Sequence, residues 1–203
     1  MRLLLTAFRP FNGEIINPTM KVMEALSSTR DFQKLILPVT YAQAFPTLQQ
    51  ALQSENFTDI LMMGQAAGRS KVCLERVALN WRDSGVADEA GIQILESKII
   101  EGAPPAYFTS YPLRKWFDQA TKKNLPLEIS NTAGAFICNS LSYELAHELQ
   151  IKKSKTRWLF LHVPYLPEQV IDKPSGTPSM ELEQMIECVQ FVIQKISEER
   201  LGR

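Results

Sequence analysis

The chain has 203 residues, 45% hydrophobic and 22% charged, which suits one globular domain (1–203) with a full core and excludes a disordered chain. Lys plus Arg balance Asp plus Glu at 22 each, so no charge excess marks a nucleic-acid or anionic-membrane partner. The same balance leaves little repulsion against self-association.

The opening run Met1–Phe8 resembles a signal peptide only briefly. It breaks at Arg9-Pro10 and has neither a proper basic region nor a small-residue cleavage site, so a first strand, Arg2–Ala7, is expected. Asn17-Pro18 is a helix-start signal for a helix over Thr19–Ser27. A strand Lys34–Val39, a helix Tyr41–Glu55 and a strand Asp59–Met63 follow. Over Val72–Ile100, the alternation of Val72, Leu74, Val77, Leu79 and Trp81 reads as a half-buried strand. Asp88-Glu89-Ala90-Gly91 reads as a turn and Ile92–Leu95 as a returning strand, which gives a hairpin extension of the sheet. A helix Leu113–Asn124, a strand Leu127–Asn131, a helix Asn139–Ile151, a strand Trp158–Val163 and a helix Ser179–Glu199 complete the chain. Strands alternate with helices, and several strands are apolar almost throughout. Both features point to an α/β layering with strands covered on both faces. No run has the length of a membrane-spanning helix.

The three cysteines, Cys73, Cys138 and Cys188, show neither disulfide-framework nor metal-ligand spacing, and a reducing cytoplasm is expected. Cys188 belongs to the apolar stripe of the last helix and reads as structural. Cys138 lies where a strand-like run gives way to a helix. There the helix dipole and free backbone N–H groups favour a thiolate and can serve an oxyanion. The competing reading is a small buried hydrophobe. His162 ends an apolar strand next to Pro164, and the competing reading is a satisfied core histidine. His147, the other histidine, is nine residues along the Cys138 helix, about 13 Å away, too far to act as its base. A third member would accept the other imidazole N–H, with Glu75, Asp83 and Asp88 as candidates. From the residues alone, Glu75 reads first as a surface ion pair with Arg76. Gly64–Ser70 follows a strand but lacks the spacing and ending of a phosphate loop, so a tight binding loop is expected. Phe8 and Phe11 are core residues by default, yet at that sheet edge they can wall a small apolar pocket.

Several of these segments together resemble one family. They are Leu4–Gly13 with Asn17-Pro18, Leu37-Pro38-Val39, Gly64–Arg69, Glu75–Asn80, Asn131–Gly134 through Cys138-Asn139, and His162–Gln169. In this order the chain resembles the pyroglutamyl peptidase I, or pyrrolidone-carboxylate peptidase, family. The resemblance implies an α/β/α sandwich around a mixed, mostly parallel sheet. It implies a cytoplasmic thiol peptidase without cofactor or metal, which removes an N-terminal pyroglutamyl residue from peptides and forms a homo-oligomer, a tetramer or dimer. Carried over residue by residue, it puts the nucleophile on Cys138, the base on His162 and the third triad member on Glu75. It puts the pyroglutamyl-binding positions on Phe8 and Phe11, with Gln65 nearby. The chain departs from the family pattern at Ala7, Asn12-Gly13, Leu74, Gly85 and Ala87, where Gly, Gly-Gly, Pro, Arg and Pro are usual. Two other classes are open at this point: a non-catalytic binder of pyroglutamyl or small cyclic-amide ligands, and a thiol hydrolase of a different cyclic amide.

Overall fold

The computed structural model describes residues 1–29 and 31–201. Strand β1 (Leu3–Phe8) is buried at every residue, and its side chains alternate between two cores. Helix α1 (Pro18–Ala25) follows, then β2 (Phe32–Leu37), α2 (Ala44–Ser54) and β3 (Asp59–Gln65). The central segment holds β4 (Val72–Glu75), β5 (Val77–Leu79) and β6 (Ala106–Phe108). The rest is α3 (Leu113–Lys122), β7 (Leu127–Ser130), α4 (Ile137–Ile151), β8 (Arg157–Val163) and α5 (Leu182–Leu201).

The main sheet has six strands in the order β2-β1-β3-β8-β4-β7. Its pairs are parallel except β4 with β8, so the sheet is mixed and mostly parallel. Odd-numbered residues of β1, β3 and β8, such as Leu5, Leu61 and Leu161, pack with α1, α3 and α5. Even-numbered ones, such as Leu4, Met62 and Phe160, pack with α2 and α4. The result is the expected three-layer α/β/α arrangement.

Local chemistry sets the ends. Asn17 caps α1 by accepting from Thr19 N–H at 3.0 Å, and Pro18 occupies the first turn, where its missing N–H costs nothing. Helix α2 starts at Ala44 rather than Tyr41, because Tyr41 N–H is held by the Asp88 carboxylate at 2.9 Å. Helix α5 starts at Leu182 rather than Ser179, because the Ser179–Met180 backbone bridges to Tyr165. Strand β3 runs two residues beyond the expected Met63, which puts Gln65 on the strand end.

The expected hairpin takes a different form. Val72–Glu75 lies inside the main sheet, between β8 and β7. The antiparallel extension is β5 with β6, so the partner strand is Ala106–Phe108 and Ile92–Leu95 is not a strand. The physical reason is that residues 80–105 are tied down by side chains rather than by a ladder. Asn80 Oδ1 accepts from Ile99 and Ile100 N–H, both at 2.9 Å, while its Nδ2 donates to Ile100 O at 2.8 Å. Asp88 Oδ1 accepts from Ala90 and Ile92 N–H, both at 2.9 Å. No helix among the described residues is long and apolar enough to cross a membrane.

Candidate active site

Three adjacent strands carry the site. In the register, Gly64 of β3 lies opposite His162 of β8, and Glu75 of β4 lies opposite Phe160. Glu75 and His162 are therefore diagonal neighbours on one face, within reach of long side chains. His162 Nδ1 donates to Glu75 Oε1 at 2.8 Å, and both side chains are almost wholly buried. A carboxylate only accepts, so Nδ1 carries the proton and Nε2 is left for another partner.

Cys138, the second residue of α4, packs on the same face of the sheet and acts on the imidazole. Gly64 makes room for it. A Cβ at position 64 would sit 2.8 Å from Cys138 Sγ and 2.8 Å from Phe160 Cζ. Phe136, the residue before α4, supplies no side-chain cap, so the first-turn N–H groups are open to a ligand. Burial disfavours a charged His162, but a Cys138 thiolate and the Glu75 carboxylate outweigh it and push the imidazole up to about 9. The arrangement can hold a thiolate–imidazolium pair with a carboxylate behind it.

A cavity of about 260 Å³ opens in front of the thiol. Phe8, Phe11 and Phe136 give it aromatic walls, and Gln65, Cys138 and His162 also line it. All six expected site residues are accounted for: five line this cavity, and Glu75 stands behind His162. Glu75 is not a surface ion pair with Arg76; it is 1% exposed and faces His162. Asp88 holds Tyr41 and its own turn instead.

Two further lining side chains, Phe136 and Arg69, were given no individual role from the sequence. Phe136 packs at 6.4 Å from Phe11 and edge-on to Tyr41, and its place just before the Cys138 helix was the available signal. Arg69 reaches across the cavity wall. Its Nη2 lies 3.9 Å from Glu75 Oε1 and 3.3 Å from Ser130 Oγ and Thr132 O, and its Nη1 lies 3.6 Å from Glu128. Nothing local in the sequence ties Arg69 to Glu75, since they meet only through the fold.

The other cysteines are placed differently. Cys73 is buried and donates to Glu128 Oε1 at 3.0 Å, and burial raises its thiol far above the ordinary range. Cys188 is buried in the core, and burial pushes its thiol up to about 12. Among the described residues, no group of three or more His, Cys, Asp or Glu could hold a metal ion.

Comparison with known proteins shows the family. A family model described as "Pyroglutamyl peptidase" matches residues 1–199. The chain belongs to the pyroglutamyl peptidase family. It is 35% identical over 199 residues to pyrrolidone-carboxylate peptidase 1 of Caldanaerobacter subterraneus subsp. tengcongensis, covering 97% of this chain and 98% of the relative. The crystal structure of a pyrrolidone carboxyl peptidase from Fervidobacterium islandicum AW-1 superposes with a TM-score of 0.91 at 34% identity, covering 97% of this chain and 98% of that one. A mutant pyrrolidone carboxyl peptidase from Pyrococcus furiosus superposes with a TM-score of 0.90 at 36% identity, covering 98% and 99%. Within the pyroglutamyl peptidase fold, Gly85 sits where a Cβ would meet nothing within 4 Å.

Proposed function

We propose that this protein is a cysteine exopeptidase, of the omega-peptidase type, that hydrolyses the N-terminal pyroglutamyl residue from peptides through a thioester acyl-enzyme. The observation that carries the reading is the His162 ring held between Glu75 and Cys138 at the mouth of an aromatic-walled cavity. Membership of the pyroglutamyl peptidase family supports the substrate class. It does not favour a non-catalytic binder or a thiol hydrolase of another cyclic amide.

In this reading Cys138 thiolate attacks the pyroglutamyl carbonyl carbon, and the C=O electron pair moves onto oxygen. The N-terminal N–H groups of α4 hold that oxyanion. The tetrahedral adduct collapses and breaks the C–N bond, and His162 imidazolium gives its Nε2 proton to the departing amine. His162, now neutral, takes a proton from water. The hydroxide attacks the thioester, and free pyroglutamate leaves as the thiolate is restored. Glu75 keeps the imidazole in one tautomer and orientation throughout.

The cavity suits a neutral lactam. Phe8, Phe11 and Phe136 offer ring faces, and Arg69 is already engaged by Glu75 and Glu128. An open-chain glutamyl residue would bring charges to be buried without partners. The three free cysteines and the balanced charge support a cytoplasmic enzyme. The exposed Phe108 and Ile151 support a homo-oligomer, dimer or tetramer, with the whole chain as one hydrolase domain.

The test is a peptide set that differs only at the first residue: pyroglutamyl, glutaminyl and prolyl. Mass spectrometry is expected to show only the pyroglutamyl peptide shortened by one residue. Equal trimming of the prolyl peptide, or no trimming, contradicts the reading.

A further inference from the structure

Gln169 is a buried polar residue that the mechanism does not use. It ends the short 3₁₀ turn Pro167–Gln169, which follows β8 and the site histidine. Its side-chain amide is fixed by four partners. Oε1 accepts from Leu166 N–H at 3.0 Å. Nε2 faces three oxygens: Gln65 Oε1 at 2.9 Å, Glu14 Oε2 at 3.1 Å and Ile16 O at 3.4 Å. Glu14 is held in turn by Lys173 Nζ, 2.7 Å from its other carboxylate oxygen. A flipped Gln169 amide would point oxygen at two fixed acceptors, Glu14 Oε2 and Ile16 O, and N–H at the Leu166 N–H donor. Only one orientation is therefore satisfied.

The constraint passes to Gln65. With Nε2 of Gln169 as donor, the Gln65 atom facing it must be Oε1. The Gln65 amide then turns its Nε2 the other way. Gln65 lines the cavity beside Phe8, Phe11 and Cys138. Among the described residues, its side chain makes no other hydrogen bond than the one to Gln169. A cavity wall that offers a fixed N–H donor fits a ring bearing a carbonyl. A lactam has that carbonyl and a pyrrolidine ring does not.

We infer that Gln169 is a positioning residue, which locks the Gln65 amide with its NH₂ toward the cavity and so selects a cyclic amide over a plain pyrrolidine. The inference rests on the proposed pyroglutamyl specificity. Gln169 touches no reacting atom and acts only through Gln65. The Glu14–Lys173 pair is the outer support of the same lock.

The experiment measures KM and kcat separately on an L-pyroglutamyl-aminocoumarin amide. Gln169→Glu presents an acceptor to Gln65, which inverts the amide and aims its oxygen at the lactam carbonyl. Gln169→Lys keeps a donor toward the same three oxygens. The Glu variant is expected to raise KM about tenfold or more, with kcat changed little. Its Cys138 should react with iodoacetamide at the wild-type rate. The Lys variant is expected to stay near the wild-type KM. A wild-type KM in the Glu variant overturns the inference, as does an equal rise in both variants or a parallel loss of alkylation rate. If the Glu variant fails to fold, Gln169→Met, which frees the Gln65 amide without inverting it, is compared with the Lys variant by the same criteria. A wild type inert on this substrate sinks the proposed function and the inference with it; an active wild type with an insensitive KM sinks the inference alone.

Discussion

At Gly64 the site depends on the absence of a side chain. A Cβ there would lie 2.8 Å from Cys138 Sγ and from Phe160 Cζ, so the thiol has to move. Gly64 has no positive φ, so its backbone accepts alanine and the cost is steric. Gly64→Ala is expected to lower kcat/KM about 10²-fold or more, since a shift near 1 Å at a reacting atom is worth that much. Steady-state kinetics beside thermal melting checks it; unchanged kinetics in a folded variant would show that the thiol does not depend on this gap. His162 supplies the second residue-scale expectation. It is raised from its ordinary 6.5 to about 9, against the effect of burial, by Cys138 and Glu75. A raised pKa means the folded state holds the proton more tightly, so the stabilisation is complete below about 6.5 and is lost as pH rises through about 9. The acid that protonates the leaving amine is lost over the same window. The kcat/KM profile is expected to fall on the alkaline side near pH 9. A profile that falls near pH 6.5 instead would show that the pair does not hold its proton.

Among the elements, the segment joining β4 to α3 is where sequence patterning and structure part company. The alternation Val77, Leu79, Trp81 is genuine for β5, but its pairing partner lies beyond a long loop, at β6. Asn139 secures that arrangement from α4. Its Oδ1 accepts from Leu79 N–H at 2.8 Å, and its Nδ2 donates to Leu79 O and Trp81 O at 2.9 Å. One side chain, next to Cys138 in sequence, thus completes the edge of a two-stranded sheet. Asn139→Ala leaves three part-buried backbone groups short of a partner. It is expected to lower stability by about 2–4 kcal/mol, read as a smaller urea midpoint; a midpoint within error of wild type would mean that water or a shifted loop replaces these bonds. The five main-sheet strands and five helices expected from periodicity are all present, with no end moved by more than three residues. Those elements bury apolar faces that periodicity records. Cys138 and His162 were legible as a candidate pair because they sit at element ends. Glu75 was not legible without the family resemblance, because the contact with His162 spans 87 positions and exists only through β4–β8 pairing. The contacts of Arg69 with Glu75 and of Gln169 with Gln65 were not legible for the same reason.

Across the whole molecule, two buried charge clusters sit in the sheet, one at the thiol and one near the start of β3. Asp59 is fully buried there and ties four parts of the chain together. It accepts from Tyr111 Oη at 2.6 Å, Arg157 Nε at 3.0 Å and Arg200 Nε at 3.0 Å, next to its bond with Thr58. Burial pushes its carboxyl up, but these hydrogen bonds and Arg157 outweigh that and hold it below its ordinary value. A lowered pKa stabilises the fold above the ordinary value near 3.8, and the contribution is lost as pH falls through the lower folded value. Asp59→Asn leaves the buried Arg157 uncompensated. It is expected to cost about 3–5 kcal/mol, with the acid sensitivity of unfolding reduced and Cys138 chemistry intact in the folded fraction. A variant with wild-type stability would show that the cluster contributes nothing net. The whole fold brings Glu75, Cys138 and His162 together at one cavity, where we propose that they act on a pyroglutamyl end. The most direct measurement is fluorophore release from L-pyroglutamyl-aminocoumarin amide under reducing conditions with a chelator present, for wild type and Cys138→Ala. Release by wild type that is abolished in the variant is the expected result; no release by folded wild type, or release that survives in Cys138→Ala, contradicts the account.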